Sequence, residues 1–190
     1  EILIEKLVYA GITHLYISVN HMADLIIEQI GDGSIWGCQI NYLVEDFPLG
    51  TAGSINLIPE NMRNTPFIVL NADLVVGEDF DELLVNHLQS GKDVSCVTAE
   101  YQMQLPYGVL DAKLEIVEKP IKSFNVLCGI YIFTLLPNRA ESISEISMID
   151  YLEYCRELGM SFNQIKLKKD WVDVGSIENF TKIRQSIQEK

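Results

Sequence analysis

The segment Phe67-Ile68-Val69-Leu70-Asn71-Ala72-Asp73 opens with four consecutive apolar residues and ends on a carboxylate. An uninterrupted apolar run of that length is expected of a parallel strand buried on both faces. Asp73 then stands at the carboxyl end of a central strand, the edge at which open α/β sheets bind ligands. Working upstream, residues 2–10 read as an amphipathic helix with Ile4, Leu7 and Val8 on one face. Residues 15–19 read as a short apolar strand, 22–30 as a helix closed by Gly31, and 38–44 as a second strand. Downstream, residues 79–90 form the clearest helix, with Phe80, Leu83, Leu84, His87 and Leu88 on one face and Gly91 after it. Residues 94–101 read as a strand, 107–135 as strands with little helix between them, 148–158 as a helix, 162–167 as a strand and 177–188 as a final helix.

The first half alternates helix and strand, which predicts an α/β, Rossmann-like, doubly wound parallel sheet. The added strands of the second half make that sheet mixed and mostly parallel. At 190 residues, the chain is long enough for one domain with a sizeable core and too short for two comfortable ones. Two places read as incomplete. The chain opens on a helix, where a doubly wound sheet wants a central first strand, so a stable chain is expected to need residues before Glu1. Asp111-Ala112-Lys113 joins two strand-like segments without Gly or Asn-Gly, so turn residues are expected to be missing there.

Charge narrows the function. The net charge is −13, which argues against nucleic-acid binding, since that needs a basic footprint. A small anionic substrate remains compatible if local lysines or a divalent cation offset the field. No apolar run reaches the roughly 18 residues of a membrane span, and no leader opens the chain, so the expected location is the cytoplasm. Cys38, Cys96, Cys128 and Cys155 show neither paired nor zinc-type spacing and read as reduced core thiols. His87 lies on the apolar face of its helix and reads as a packed core residue. Trp36, Tyr131 and Phe133 also read as core.

Four segments carry residue types suited to phosphate chemistry. Asp73 can hold Mg²⁺, which binds through a few carboxylates together with phosphate oxygens and water. Asp173 lies in Trp171-Val172-Asp173-Val174-Gly175-Ser176, where strand alternation turns Trp171 and Asp173 to one side. In Glu118-Lys119-Pro120 the proline stops a strand and fixes two charged side chains at its mouth, and lysine is a compact cation suited to a phosphate. In Leu49-Gly50-Thr51-Ala52-Gly53 small residues at a helix start let backbone N–H groups approach a base or phosphate closely. Each has a plainer explanation as a turn, a cap or an exposed ion pair.

Taken in order, these segments, with Pro106-Tyr107-Gly108-Val109 and Cys128-Gly129-Ile130-Tyr131 between them, resemble the sugar-1-phosphate nucleotidylyltransferases across nearly the whole chain. The resemblance implies the nucleotide-diphospho-sugar transferase type of fold. It implies in-line attack by a sugar-1-phosphate oxygen on the α-phosphorus of a nucleoside triphosphate, with pyrophosphate leaving. By the same resemblance Asp73 and Asp173 would hold the catalytic Mg²⁺, and Gly50, Thr51 and Ala52 would line the nucleobase pocket. Gly108 and Glu118 would contact the sugar, Lys119 its phosphate, and Gly129 would let the sugar lie close to the backbone. The loop at 49–53 resembles members that use guanosine triphosphate more than those that use thymidine triphosphate.

The departures are also readable. The family's Gly-x-Gly-x-Arg loop, which cradles the triphosphate, is not in these 190 residues, so the chain as written is expected to bind triphosphate poorly and to be inactive alone. Ala72 stands where glycine is usual, which is harmful only if the backbone there needs φ > 0. Leu127 stands where many members have asparagine. These departures motivate a rival reading as a non-catalytic paralogue that binds an NDP-sugar and regulates a partner. A glycosyltransferase reading is weaker, because Asn71 replaces the first acid of an Asp-x-Asp motif. The sugar and self-association into a homo-oligomer are left open.

Overall fold

The computed structural model describes residues 1–137 and 144–175. The elements follow in the order α1 (Ile2–Tyr9), β1 (His14–Val19), α2 (Ala23–Ile30), β2 (Gln39–Val44), β3 (Phe67–Leu70), β4 (Leu74–Val76), α3 (Phe80–Ser90) and β5 (Val94–Gln104). Then come β6 (Val109–Leu110), β7 (Ile116–Val117), β8 (Ile121–Phe133), α4 (Met148–Glu157), β9 (Phe162–Lys166) and β10 (Trp171–Asp173). The helix expected over 177–188 lies outside the described residues.

The helix ends follow local chemistry. Asp81 and Glu82 occupy the first turn of α3, where carboxylates complement the helix dipole, and Gly91 takes φ of 61° at its end. In α4 the Ser147 hydroxyl accepts from Asp150 N–H at 3.1 Å and caps the first turn.

The largest sheet has the order β3-β8-β5-β9. β8 runs antiparallel to both β3 and β5, and β9 runs parallel to β5. Three of its four strands therefore point one way, and the sheet is α/β, mixed and mostly parallel. The expectation for residues 67–70 needs one correction. β3 shares its direction with β5 and β9, but its hydrogen-bonded neighbour is the antiparallel β8, and all four of its residues are half-buried. A continuous apolar run reports covered faces, not the direction of the next strand.

β1 and β2 form a separate parallel pair. Among the described residues no ladder joins β1 to β3. Side chains link them instead, with the Tyr16 and Phe67 rings 6.4 Å apart. The sheet is covered on both faces, as β8 shows residue by residue. Ile130 and Ile132 join a core cluster with Ile4 and Leu7 of α1 and Phe80 and Leu83 of α3. Tyr131 and Phe133 join another with Tyr151, Leu152 and Cys155 of α4. That alternation is the period of two of a strand between two helical layers.

The turn at 111–115 overturns the expectation of missing residues. The Asp111 carboxylate accepts from Lys113 N–H at 2.8 Å and from Glu115 N–H at 2.9 Å, while Leu114 takes φ of 65°. An aspartate-bonded turn with a left-handed leucine does what a glycine turn would do.

The cysteines are free. Cys128 and Cys155 are buried, and burial pushes their thiols up to about 12 and about 11. His87 is in the core as expected, with Nδ1 2.8 Å from the Ser95 hydroxyl and Nε2 3.1 Å from that of Thr134.

Candidate active site

β3, β5 and β9 all end on one edge of the sheet, and the candidate residues fall into three groups. The first surrounds Asp73. The chain leaves β3 through Asn71 and Ala72, and the exposed Asp73 precedes β4. β4 pairs antiparallel with β10, placing Asp173 opposite Leu74, and Val174 N–H donates to the Asp73 carbonyl at 2.8 Å. Residues 73 and 173 thus lie side by side, Asp173 at the end of β10 and Asp73 immediately before β4. Among the described residues the non-glycine positions with positive φ are Met22, Leu114 and Lys119. Ala72 is not one of them, so its methyl group carries no backbone strain.

Gly129 belongs to the same group. Its φ is 71°, and a Cβ built there would meet the Asn71 side chain at 2.8 Å. Glycine at 129 therefore has an internal reason: the Asn71 amide occupies the space a side chain would need. Asn71 N–H also donates to the Gly129 carbonyl at 2.9 Å.

The second group sits on an arm. β5 and β8 continue past the end of β3 as a two-stranded ribbon, from Glu100 paired with Asn125 to Gln104 paired with Ile121. Lys166 donates to the Glu100 carboxylate at 2.6 Å and, with Gln102 and Ser123, holds it down at about 2. β6 and β7 pair above that ribbon and bring Pro106-Tyr107-Gly108 alongside Glu118-Lys119-Pro120. A Cβ on Gly108 would lie 3.2 Å from Glu118 Oε2, and Lys119 N–H donates to the Tyr107 carbonyl at 3.2 Å. Lys119 Nζ is 3.9 Å from Glu118 Oε1, and both side chains are exposed.

The third group is the loop at 49–53, and most of its polar groups are engaged internally. The Thr51 hydroxyl accepts from Met148 N–H at 2.7 Å, tying the loop to the start of α4. Ala52 is fully buried and its N–H donates to the Ile146 carbonyl at 3.0 Å. Gly50 is exposed with φ of 73°, and a Cβ there would meet the Ile146 carbonyl oxygen at 2.6 Å. Glu45 holds the loop from the other side, and sequence reasoning missed it. Its carboxylate accepts from Leu49 N–H at 2.9 Å and from the Ser18 hydroxyl at the end of β1. Its position four residues before Leu49 was the only available signal.

Among the described residues no hydrogen bond or ion pair joins Lys119 to Asp73, so the arm and the aspartate pair are separate constructions. The donor set fits Mg²⁺: two carboxylate-bearing segments side by side, with no thiol or imidazole among them, supply the hard oxygens this ion prefers. Among the described residues no cluster of three or more His, Cys, Asp or Glu side chains could hold a metal ion. A cavity of about 300 Å³ lies elsewhere, between α1 and the start of α3, lined by Glu5, Lys6, Tyr9 and Phe80 among others, and holds none of these residues. No helix of the described residues is long and apolar enough to cross a membrane.

Comparison with known proteins adds a family to this geometry. The profile of the family described as Nucleotidyl transferase matches residues 1–190. A mannose-1-phosphate guanyltransferase of Yarrowia lipolytica is 30% identical over 193 residues, and mannose-1-phosphate guanyltransferase beta-B of Xenopus laevis is 28% identical over the same length. Each alignment covers 93% of this chain and 52% of the relative, so the chain spans about half the length of these relatives. Among solved structures, HddC from Yersinia pseudotuberculosis superposes with a TM-score of 0.74 at 22% identity, over 97% of this chain and 83% of that one, and shares its fold. The family match runs over residues 1–190: the chain belongs to the Nucleotidyl transferase family.

Proposed function

We propose that this domain transfers a nucleoside monophosphate from a nucleoside triphosphate to a sugar-1-phosphate, releasing pyrophosphate and forming an NDP-sugar. The observation that carries the reading is the pairing of β4 with β10, which puts the Asp73 and Asp173 segments side by side at the carboxyl edge of the sheet. A sugar-phosphate oxygen forms a bond to the α-phosphorus as the bond from that phosphorus to the bridging oxygen breaks. Mg²⁺, when bound, would neutralise the charge that builds on the phosphate oxygens. Asp73 and Asp173 would be its protein ligands. Lys119 is assigned to the sugar's phosphate, and Gly108 and Glu118 to the sugar itself. The loop at Gly50, Thr51 and Ala52 is assigned to the nucleobase, with its shape held by Glu45 and α4. Most of the catalytic effect then comes from orientation and charge neutralisation.

Guanosine triphosphate is the donor we favour. Its support is the 49–53 loop and the names of the curated relatives, together with an HddC structure described as complexed with GMP-PN. A cytoplasmic location is part of the same proposal. The test is pyrophosphate release by the full-length protein with Mg²⁺, across four nucleoside triphosphates and a panel of sugar-1-phosphates. Release that requires one base and one sugar is expected. Absence of release with every pair overturns the reading.

A further inference from the structure

β8 is irregular where it passes the two aspartate segments. Cys96 pairs with Tyr131 and Thr98 with Leu127, so Cys128, Gly129 and Ile130 stand opposite Val97 alone. A bulge of this kind frees backbone groups from the ladder and re-aims them. Two successive carbonyls here have specific partners, that of Cys128 where the β5 ladder is interrupted and that of Gly129 where the β3 ladder continues one residue past Leu70 and Ile130. The Cys128 carbonyl accepts from Trp171 Nε1–H at 3.1 Å, and the Gly129 carbonyl accepts from Asn71 N–H at 2.9 Å. Trp171 opens β10 two residues before Asp173, and Asn71 lies two residues before Asp73. Neighbouring carbonyls of one bulge therefore hold both aspartate-bearing segments, which Val174 N–H and the Asp73 carbonyl join to each other at 2.8 Å.

The arrangement is locked on its other side by the Asn71 amide, which fills the space beside Gly129. β10 has three residues and a three-residue partner, too short a ladder to fix its own height against the sheet. The indole bond supplies that fix, because the ring is half-buried against the core beneath the sheet.

We infer that the β8 bulge is the positioning device of the divalent-cation site, and that Trp171 is a positioning residue setting metal affinity through the Cys128 carbonyl. This rests on the reading of Asp73 and Asp173 as metal ligands. Mg²⁺ tolerates little departure from octahedral geometry, and losing a group that orients a ligand typically weakens metal binding about 10- to 100-fold.

The test is Mn²⁺ binding, followed by electron paramagnetic resonance on the full-length protein with a non-hydrolysable nucleoside triphosphate, beside thermal unfolding. Trp171→Phe keeps a ring of similar shape and removes the Nε1–H donor. Binding about tenfold weaker or more is expected, with the KM for sugar phosphate unchanged. Gly129→Ala attacks the same device from the Asn71 side and is expected to lose affinity similarly. Trp36→Phe leaves Trp171 as the sole tryptophan among these 190 residues without touching the bulge, so Mn²⁺ should change the emission, and the change should vanish when Trp171→Phe is added. That measurement decides the matter if the other two variants do not fold. Folded Trp171→Phe and Gly129→Ala proteins that bind Mn²⁺ as the wild type does, or an emission blind to Mn²⁺, overturn the inference. Failure of the underlying reading looks different: the wild type then binds no Mn²⁺, or Asp73→Asn binds it unimpaired.

Discussion

His87 shows how far one buried side chain can be taken. Both ring nitrogens meet hydroxyls, those of Ser95 and Thr134, and the residue is 1% exposed. Burial holds its pKa below the usual value, against the opposing pull of the Asp93 carboxylate. In the unfolded chain the ring takes a proton near pH 6.5, so below that pH unfolding takes up a proton that the folded state refuses. The contribution of His87 to stability is therefore full above about pH 6.5 and falls as pH drops toward the lowered folded value. Between pH 7.5 and 5.5 the melting temperature of the wild type should fall further than that of His87→Gln, which keeps a polar side chain but does not titrate. Parallel curves for the two proteins would remove His87 from the pH dependence.

At the scale of elements, the turn at 111–115 holds the hairpin that carries Gly108 and Glu118. Asp111→Ala removes two acceptor contacts, to Lys113 and Glu115 N–H, each worth about 1 kcal/mol. Amide exchange in β6 and β7 should quicken about tenfold or more, while the melting temperature holds, because these strands contribute little to either core cluster. Leu114→Gly relieves a left-handed residue, a strain of about 1–2 kcal/mol, and should slow the same exchange. Opposite signs in the two variants are the signature; equal protection in both would show that the turn does not control the hairpin.

These elements also mark where the sequence was legible. α1, α2, α3 and α4 were visible because apolar residues recur at helical spacing and Gly31 or Gly91 ends two of them. The partner of β3 was not, because burial on both faces is equally compatible with a parallel or an antiparallel neighbour. The turn was missed because the reading looked for glycine and passed over Asp111, itself a turn residue, while nothing in the local pattern marks Leu114 as left-handed. The bulge in β8 was invisible for a related reason: register is a property of two strands, and only Gly129 hinted at it. Asp73 and Asp173 were read from motif order, but their adjacency comes from the pairing of β4 with β10, which no local pattern encodes.

The whole molecule sets the last problem, which is electrostatic. A chain with 27 acidic and 14 basic residues repels a sugar phosphate at long range, so local cations must reverse the field at short range. The arm carries three lysines interleaved with Asp111, Glu115 and Glu118, so any reversal there is local to single lysines. Lys113, Lys119 and Lys122 lie between β6 and the start of β8, whereas the sheet edge below presents the Asp73 and Asp173 segments. Among the described residues no bond joins the two constructions, so the arm can be weakened without disturbing the aspartate pair. Under the proposed function, Lys119→Ala should raise the KM for sugar phosphate about tenfold to a hundredfold, the usual worth of a hydrogen bond to a charged group. The KM for the triphosphate should move much less, and the Mn²⁺ affinity should not move at all. Steady-state kinetics with each substrate varied in turn separate the two constants. An equal rise in both would mean that Lys119 serves the common phosphate chemistry, and the division of labour between arm and sheet edge would fail.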